Sequence, residues 1–166
     1  EEEFKFALKN LSKQQVFNMA CTYGVLSIVK ELIDDPYVKV NNGNNYPIQY
    51  ASKNNHIEIV KLLLTYKEVD PKDTDYLALT IAASMGNLEI VKMLLNDSRL
   101  SKWHIIDSGA IMVASFHRHY DVVKYILTII EPSKDMLTQL LLKAKSYGDK
   151  NMEEFYYELY EELYEK

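Results

Sequence analysis

The ten residues Gly86-Asn87-Leu88-Glu89-Ile90-Val91-Lys92-Met93-Leu94-Leu95 decide how this chain folds. Leu88, Val91, Leu94 and Leu95 recur at helical spacing, so the stretch reads as an amphipathic helix with Lys92 on its solvent face. Gly86-Asn87 breaks the helix before it, because glycine enters the left-handed backbone of a helix end without a steric penalty. Upstream, Leu77, Ala78, Ile81 and Ala82 mark a short first helix with small residues on one side. The unit is helix, turn, helix.

Working outward, the same unit returns. Leu26 to Ile33, Ile57 to Leu64 and Tyr120 to Leu127 repeat the final word, and its lysines stand at 30, 61, 92 and 124. Ala20, Ala51, Ala82, Ala114 and Ala144 keep the same register in the first helices. Four residues after each alanine come Gly24, Asn55, Gly86, Arg118 and Gly148. A small alanine lets neighbouring first helices approach closely, where a larger side chain would hold them apart. Self-similarity at this period is the mark of a solenoid, whose units bury their apolar faces only against each other. Asn41-Asn42-Gly43-Asn44-Asn45 is the clearest turn between units. Asn44, Asp75 and Asp107 hold equivalent places there, and both residue types tolerate left-handed backbone.

Tyr46-Pro47-Ile48-Gln49-Tyr50-Ala51 resembles a worn form of the Thr-Pro-Leu-His-x-Ala word of the ankyrin repeat. Residues 86–95 are similar to that family's Gly-His-Leu-Glu-Ile-Val-x-x-Leu-Leu. The likeness runs from Ser12 to Ile130, about four units, with caps at each end. It implies an all-α, ankyrin-type solenoid of stacked helix-turn-helix repeats. The expected organisation is one domain over 1–166, with a partial repeat at 1–11, repeats at 12–40, 41–71, 72–103 and 104–132, and a capping repeat at 133–166. The period is one or two residues short of the family's roughly 33, so the β-hairpin is expected to be short or reduced to a turn. The family histidine is Gln49, Thr80 and Met112 here, and Pro47 is the only surviving proline of that word, which weakens local stability but not the fold. The tetratricopeptide pattern has a period of about 34 with different aromatic and proline positions, and ranks second.

The ends read as caps. Phe4, Phe6, Ala7 and Leu8 suit the outer helix of an incomplete unit, and Ser12 with Gln15 has the form of a capping box. Asp135 to Tyr147 reads as a fifth first helix. Met152, Phe155, Tyr156, Leu159 and Leu163 stripe the last helix, opposite a face of glutamates. Glu1-Glu2-Glu3, without an initiating Met, reads as the start of a trimmed chain or fragment. The many Tyr, Asn, Lys and Ile residues resemble degenerate ankyrin arrays of protists and of large DNA viruses.

Composition narrows the function classes. The chain is 48% apolar and 26% charged, ordinary for a soluble domain, and its longest greasy stretch, Tyr125 to Ile130, is far below a membrane span. A net charge of −5 argues against tracking nucleic-acid phosphates. The lone cysteine, Cys21, excludes an internal disulfide and reads as a small core residue of a cytoplasmic protein, host cytoplasm if viral. No phosphate-binding glycine loop, nucleophile elbow or paired acid and base is present, so no catalysis and no cofactor are expected. His104, His117 and His119 invite a zinc reading. It fails because about four ligands are needed, and residues two apart on a helix do not share a face.

The resemblance implies that a monomer binds a partner protein through turn tips and the concave face of the first helices. By position, that surface comprises Tyr23, Asn42, Asn45, Lys53, Asn54, Tyr76, Ser84, Met85, Ser108, Phe116, His117 and Tyr147. Aromatic residues and Met are enriched at interfaces, which singles out Tyr23, Tyr76, Met85, Phe116 and Tyr147; the alternative is that they pack against the next unit. Trp103, beside Ile105 and Ile106, is either an anchor on that face or, the favoured reading, packed under a turn. The other function considered is a regulatory or targeting fragment of a larger adaptor or enzyme.

Overall fold

The computed structural model describes residues 10–165, so the helix expected around Phe4 to Leu8 lies outside the described residues. Each unit is a helix pair: α1 (Lys13–Tyr23) with α2 (Leu26–Leu32), α3 (Asn42–Lys53) with α4 (Ile57–Leu63), and α5 (Asp73–Ser84) with α6 (Leu88–Leu95). A short α7 (Lys102–Asp107) precedes α8 (Ala110–Phe116) and α9 (Tyr120–Ile130), and α10 (Lys134–Tyr147) with α11 (Lys150–Tyr164) closes the array. First helices α1, α3, α5, α8 and α10 stack in one row, and second helices α2, α4, α6 and α9 in another. Among the described residues there is no strand, so the hairpin of the family is reduced to turns, and no helix is long and apolar enough to cross a membrane.

The repeated residues explain the stack. Ala20, Ala51, Ala82 and Ala114 are wholly buried between first helices, and Ala144 is nearly so. Val29, Val60, Val91 and Val123 are likewise sealed inside, while Lys30, Lys61 and Lys124 point outward. The Ser12 capping box is formed in both directions, and Ser133 caps α10 through the Met136 N–H.

Gly24, Asn55, Gly86, Arg118 and Gly148 are all left-handed, with φ of 78°, 59°, 71°, 62° and 66°. After Asn55, Gly86, Arg118 and Gly148 the turn points the next residue back at the preceding unit. His56 Nε2–H donates to Thr22 O at 2.9 Å, Asn87 Nδ2 to Ser52 O at 2.7 Å, and His119 Nε2–H to Ser84 O at 2.9 Å. These side chains satisfy carbonyls that the end of a first helix would otherwise leave open. Gly24 and Gly86 serve a second purpose, because a Cβ there would stand 2.5 Å from the His56 ring and 2.4 Å from the His119 ring. Where the left-handed residue has a side chain, the residue above it is not histidine. Asn55 is in register with Asn87, and Arg118 with Asp149, whose carboxylate meets the guanidinium at 3.2 Å.

The loops on the far side are also tied. Asp35, Asp70 and Asp97 each accept the backbone N–H two residues on, at 3.0, 2.9 and 2.9 Å. Arg99 then binds Asp97 in a two-pronged pair (2.8 and 2.6 Å) and reaches back to Val69 O at 2.5 Å and Leu64 O at 3.2 Å. The guanidinium holds the Asp97 carboxyl below the usual carboxylate range.

Several expectations need correction. The left-handed turns of the second and third units are three residues long, Gly43-Asn44-Asn45 and Thr74-Asp75-Tyr76, and include types that do not favour this region. Each such residue costs about 1–2 kcal/mol. Side chains hold them: Gln49 Nε2 donates to Asn44 O (2.6 Å), and the single proton of Thr80 Oγ1 is shared between Tyr76 O and Ser108 O, each at 3.1 Å. The residues standing in for the family histidine thus keep turn hydrogen bonds at two of three positions. Asp107 does not follow Asn44 and Asp75, because it ends α7 and Gly109 (φ 68°) makes the left-handed turn. Trp103 is not packed under a turn: Ile105 fills the buried face of α7 and leaves the indole 73% exposed. The apolar stripe of α11 is buried at Met152 and Tyr156 but has run out into solvent at Leu163.

Two outcomes follow from these ties. Gly86→Ala is expected to destabilise the chain by about 2–3 kcal/mol, from left-handed strain plus the imidazole clash. In a His119→Ala background the same change is expected to be worth only about 1 kcal/mol, as thermal melts of the four-variant cycle would show. The second outcome concerns pH. Asp97 is a stronger acid folded than unfolded, so its pair stabilises above the unfolded value near 4 and is lost as pH falls through the lower folded value. The melting-temperature gap between wild type and Arg99→Ala should therefore be widest near neutrality and narrow on acidification, down to the share owed to the Val69 and Leu64 carbonyls.

Candidate partner-binding surface

The last turn of each first helix exposes one residue beside the left-handed turn, three after the buried alanine. These residues are Tyr23, Asn54, Met85, His117 and Tyr147, and all five are exposed. They stay outside because the alanine of the same turn occupies the buried side. Phe116, 60% exposed, adjoins this row and meets Tyr147 edge-to-face at 5.5 Å. Lys53 lies 5.8 Å over the Tyr50 ring, which stacks on Tyr46 at 4.0 Å.

The structure brings together only part of the anticipated surface. Tyr23, Lys53, Asn54, Met85, Phe116, His117 and Tyr147 share the exposed end of the first-helix row. Asn54 also donates to Thr22 O at 2.9 Å, so one of its groups is engaged within the array. Asn42, Tyr76, Ser84 and Ser108 are half-buried. Tyr76 packs on the core and lies 5.8 Å from the His104 ring, and the Ser84 and Ser108 carbonyls accept His119 and Thr80. Asn45 is not a surface residue. It is 2% exposed, turned inward by its left-handed backbone, and its Nδ2 donates to Asp70 O (3.0 Å) and Asp73 Oδ2 (2.9 Å).

His117 and His119 do share a side, contrary to helical expectation, with rings 6.2 Å apart and nearly parallel. The left-handed Arg118 between them reverses the chain. No group of three metal-ligating side chains occurs among the described residues. Cys21 is wholly buried, and burial pushes its thiol up to about 12.

Sequence reasoning missed a pocket of about 210 Å³ between α8 and α10. Its wall is Phe116 and Tyr147, its apolar lining Met112, Leu140, Ala144 and Met152, and Arg118 and Lys143 stand beside it. Asp149 also lines it, but is 7% exposed and engaged by Arg118, Tyr120 Oη (3.1 Å) and the Met152 N–H (3.2 Å). The available signal was the register itself, which places Phe116 and Tyr147 near one another in successive units. A second, more open groove of about 580 Å³ lies between α9 and α11, lined by Leu127, Pro132, Phe155, Leu159 and Leu163.

The fold defines a class, a linear array of helix pairs with an exposed row at one edge. The family model described as "Ankyrin repeats (3 copies)" matches residues 17–105 and again 68–139, and the chain belongs to the ankyrin-repeat family. It is 29% identical over 143 residues to the ankyrin repeat and KH domain-containing protein mask-1 of Caenorhabditis elegans, covering 83% of this chain and 5% of that protein. An ankyrin repeat and KH domain-containing protein of Caenorhabditis briggsae is 29% identical over 110 residues, 66% of this chain and 4% of its own length. The chain therefore spans a small fraction of these relatives.

A thiol-reactive probe at about pH 8 is expected to leave native Cys21 unlabelled, since deprotonation and access both require opening. Labelling should appear along the denaturant transition; rapid labelling of the native protein would contradict its burial.

Proposed function

We propose that this chain is a protein-interaction module whose partner lies along the exposed ends of the first helices and their adjoining turns. Ankyrin repeats are in general protein–protein interaction modules, and membership of that family supports the reading. The finer reading is supported by one observation: the same position in five successive units, from Tyr23 to Tyr147, is exposed, and two of its occupants are tyrosine and one is methionine. Large, semi-rigid side chains on a stiff frame bind with little further loss of conformational freedom. On this reading the chain is not an enzyme, works as a monomer in the cytoplasm, and forms one repeat domain over 1–166.

A second reading is a targeting or regulatory piece of a longer adaptor. It is favoured by the relatives above, of whose length this chain spans 5% and 4%.

The test is a pull-down from the native cell with wild type and a Tyr23→Ala/Met85→Ala/Phe116→Ala variant of matched melting temperature. All three side chains are exposed, so folding should survive. Recovery of the main partner is expected to fall at least about tenfold, in line with loss of interface anchors. Undiminished recovery would place the binding surface elsewhere.

A further inference from the structure

Charge is unevenly divided along the array. The second helices balance Glu31, Glu58, Glu89 and Asp121 with Lys30, Lys61, Lys92 and Lys124, whereas α11 sets Glu153, Glu154, Glu158, Glu161 and Glu162 against Lys150 alone. The first helices have no acidic residue in α1, α3 or α8, and those of α5 and α10 (Asp73, Asp75, Asp135) lie in the opening turn, far from the exposed row. Beside that row stand Lys53, Arg118 and Lys143, whereas Lys145 is paired with Glu153 of α11 at 3.6 Å. A chain of net charge −5 thus presents an edge that is locally neutral to basic.

The pocket between α8 and α10 sits at the basic end of this edge. A space of about 210 Å³ is smaller than the roughly 300–1,000 Å³ of small-molecule sites, and suits one apolar side chain. The perpendicular rings of Phe116 and Tyr147 (80°) give it a rigid wall. Asp149 is sunk beneath and already engaged, while the Arg118 side chain remains 66% exposed and Lys143 projects into solvent. Two cations against one buried carboxylate leave a net positive rim.

We infer that this pocket takes an apolar side chain of an acidic peptide segment, one in which a leucine- or phenylalanine-sized residue is flanked by Asp or Glu. The apolar side chain fills the space against Phe116 and Tyr147, and the flanking carboxylates meet Arg118 and Lys143 at its rim. This rests on the proposed function above and adds the chemistry of the partner. The groove between α9 and α11 is larger, but only Lys124 among its lining residues is cationic, it includes Glu131, and the glutamates of α11 border it. It offers no net positive rim to the same peptide.

The probe is a displayed library of random 12-residue peptides, panned against the whole chain at low salt. Enriched peptides are expected to pair an apolar residue with acidic neighbours; enrichment of basic or uncharged sequences would overturn the inference. The best peptide is then titrated against wild type, Phe116→Ala, Lys143→Glu and Arg118→Gln, each checked by its melting temperature. Phe116→Ala and Lys143→Glu alter exposed side chains and are expected to weaken binding about tenfold and fivefold respectively. The Lys143→Glu effect should shrink at about 1 M salt, where screening acts within about 3 Å. A peptide weakened by Met85→Ala but indifferent to Phe116→Ala and Lys143→Glu would sink the pocket and leave the binding edge standing. A peptide indifferent to all of these, and displaced by Leu159→Ala, would sink both.

Discussion

The constraint on which the rest of this structure depends is the left-handed residue that ends each first helix. At Asn55, Gly86 and Arg118 it turns the chain so that the next side chain points backward and hydrogen-bonds a carbonyl at the end of the preceding first helix, at Thr22, Ser52 and Ser84. Apolar packing alone is non-directional and would tolerate sliding of one helix pair over the next. A hydrogen bond to a single carbonyl does not tolerate it. The apolar faces supply the drive to stack, and the turn supplies the register. On the opposite side, the Arg99 clasp on Leu64 and Val69 resists rotation of the third unit about that first tie.

The same geometry creates the binding edge. A residue immediately before a left-handed turn, on the side away from the buried alanine, is left at the exposed edge of the row. Tyr23, Asn54, Met85, His117 and Tyr147 are exposed there by backbone conformation, whatever their chemistry. Stability therefore places little demand on which side chains occupy the row. Their identity is free to serve recognition, whereas the alanine three residues earlier is constrained by the close approach of two helices.

Much of the fold was legible because the markers recur. The buried alanines, the outward lysines and the left-handed positions all follow from spacing, and Gly24 and Gly86 state their conformation outright. Arg118 does not: only its place in the register predicts φ of 62°. What stayed hidden depended on contacts between units. Asn45 looks like an exposed turn residue, yet its side chain is drawn inward to Asp70 and Asp73. Trp103 looks like a core residue, yet Ile105 takes the inner face of a helix that no repeat marker announced. The pocket beside Phe116 exists only where two helices from different units leave a gap, and periodicity does not report gaps.

The pairings across units show how such an array tolerates sequence decay. Glycine lies under His56 and His119 because an imidazole fills the space a Cβ would occupy. Where that glycine is lost, at Asn55 and Arg118, the register partner is Asn87 or Asp149, and the latter exchanges a hydrogen bond for an ion pair at 3.2 Å. A lone change at either member leaves a clash or an open carbonyl, and a matched change restores a tie of different chemistry. Decay of the family word at Thr80 follows the same logic, since its hydroxyl bonds Ser108 O 28 residues on, whereas Gln49 bonds Asn44 O within its own unit. The unit of constraint in this solenoid is therefore the pair of positions about one repeat apart, and a single repeat read in isolation shows only half of it.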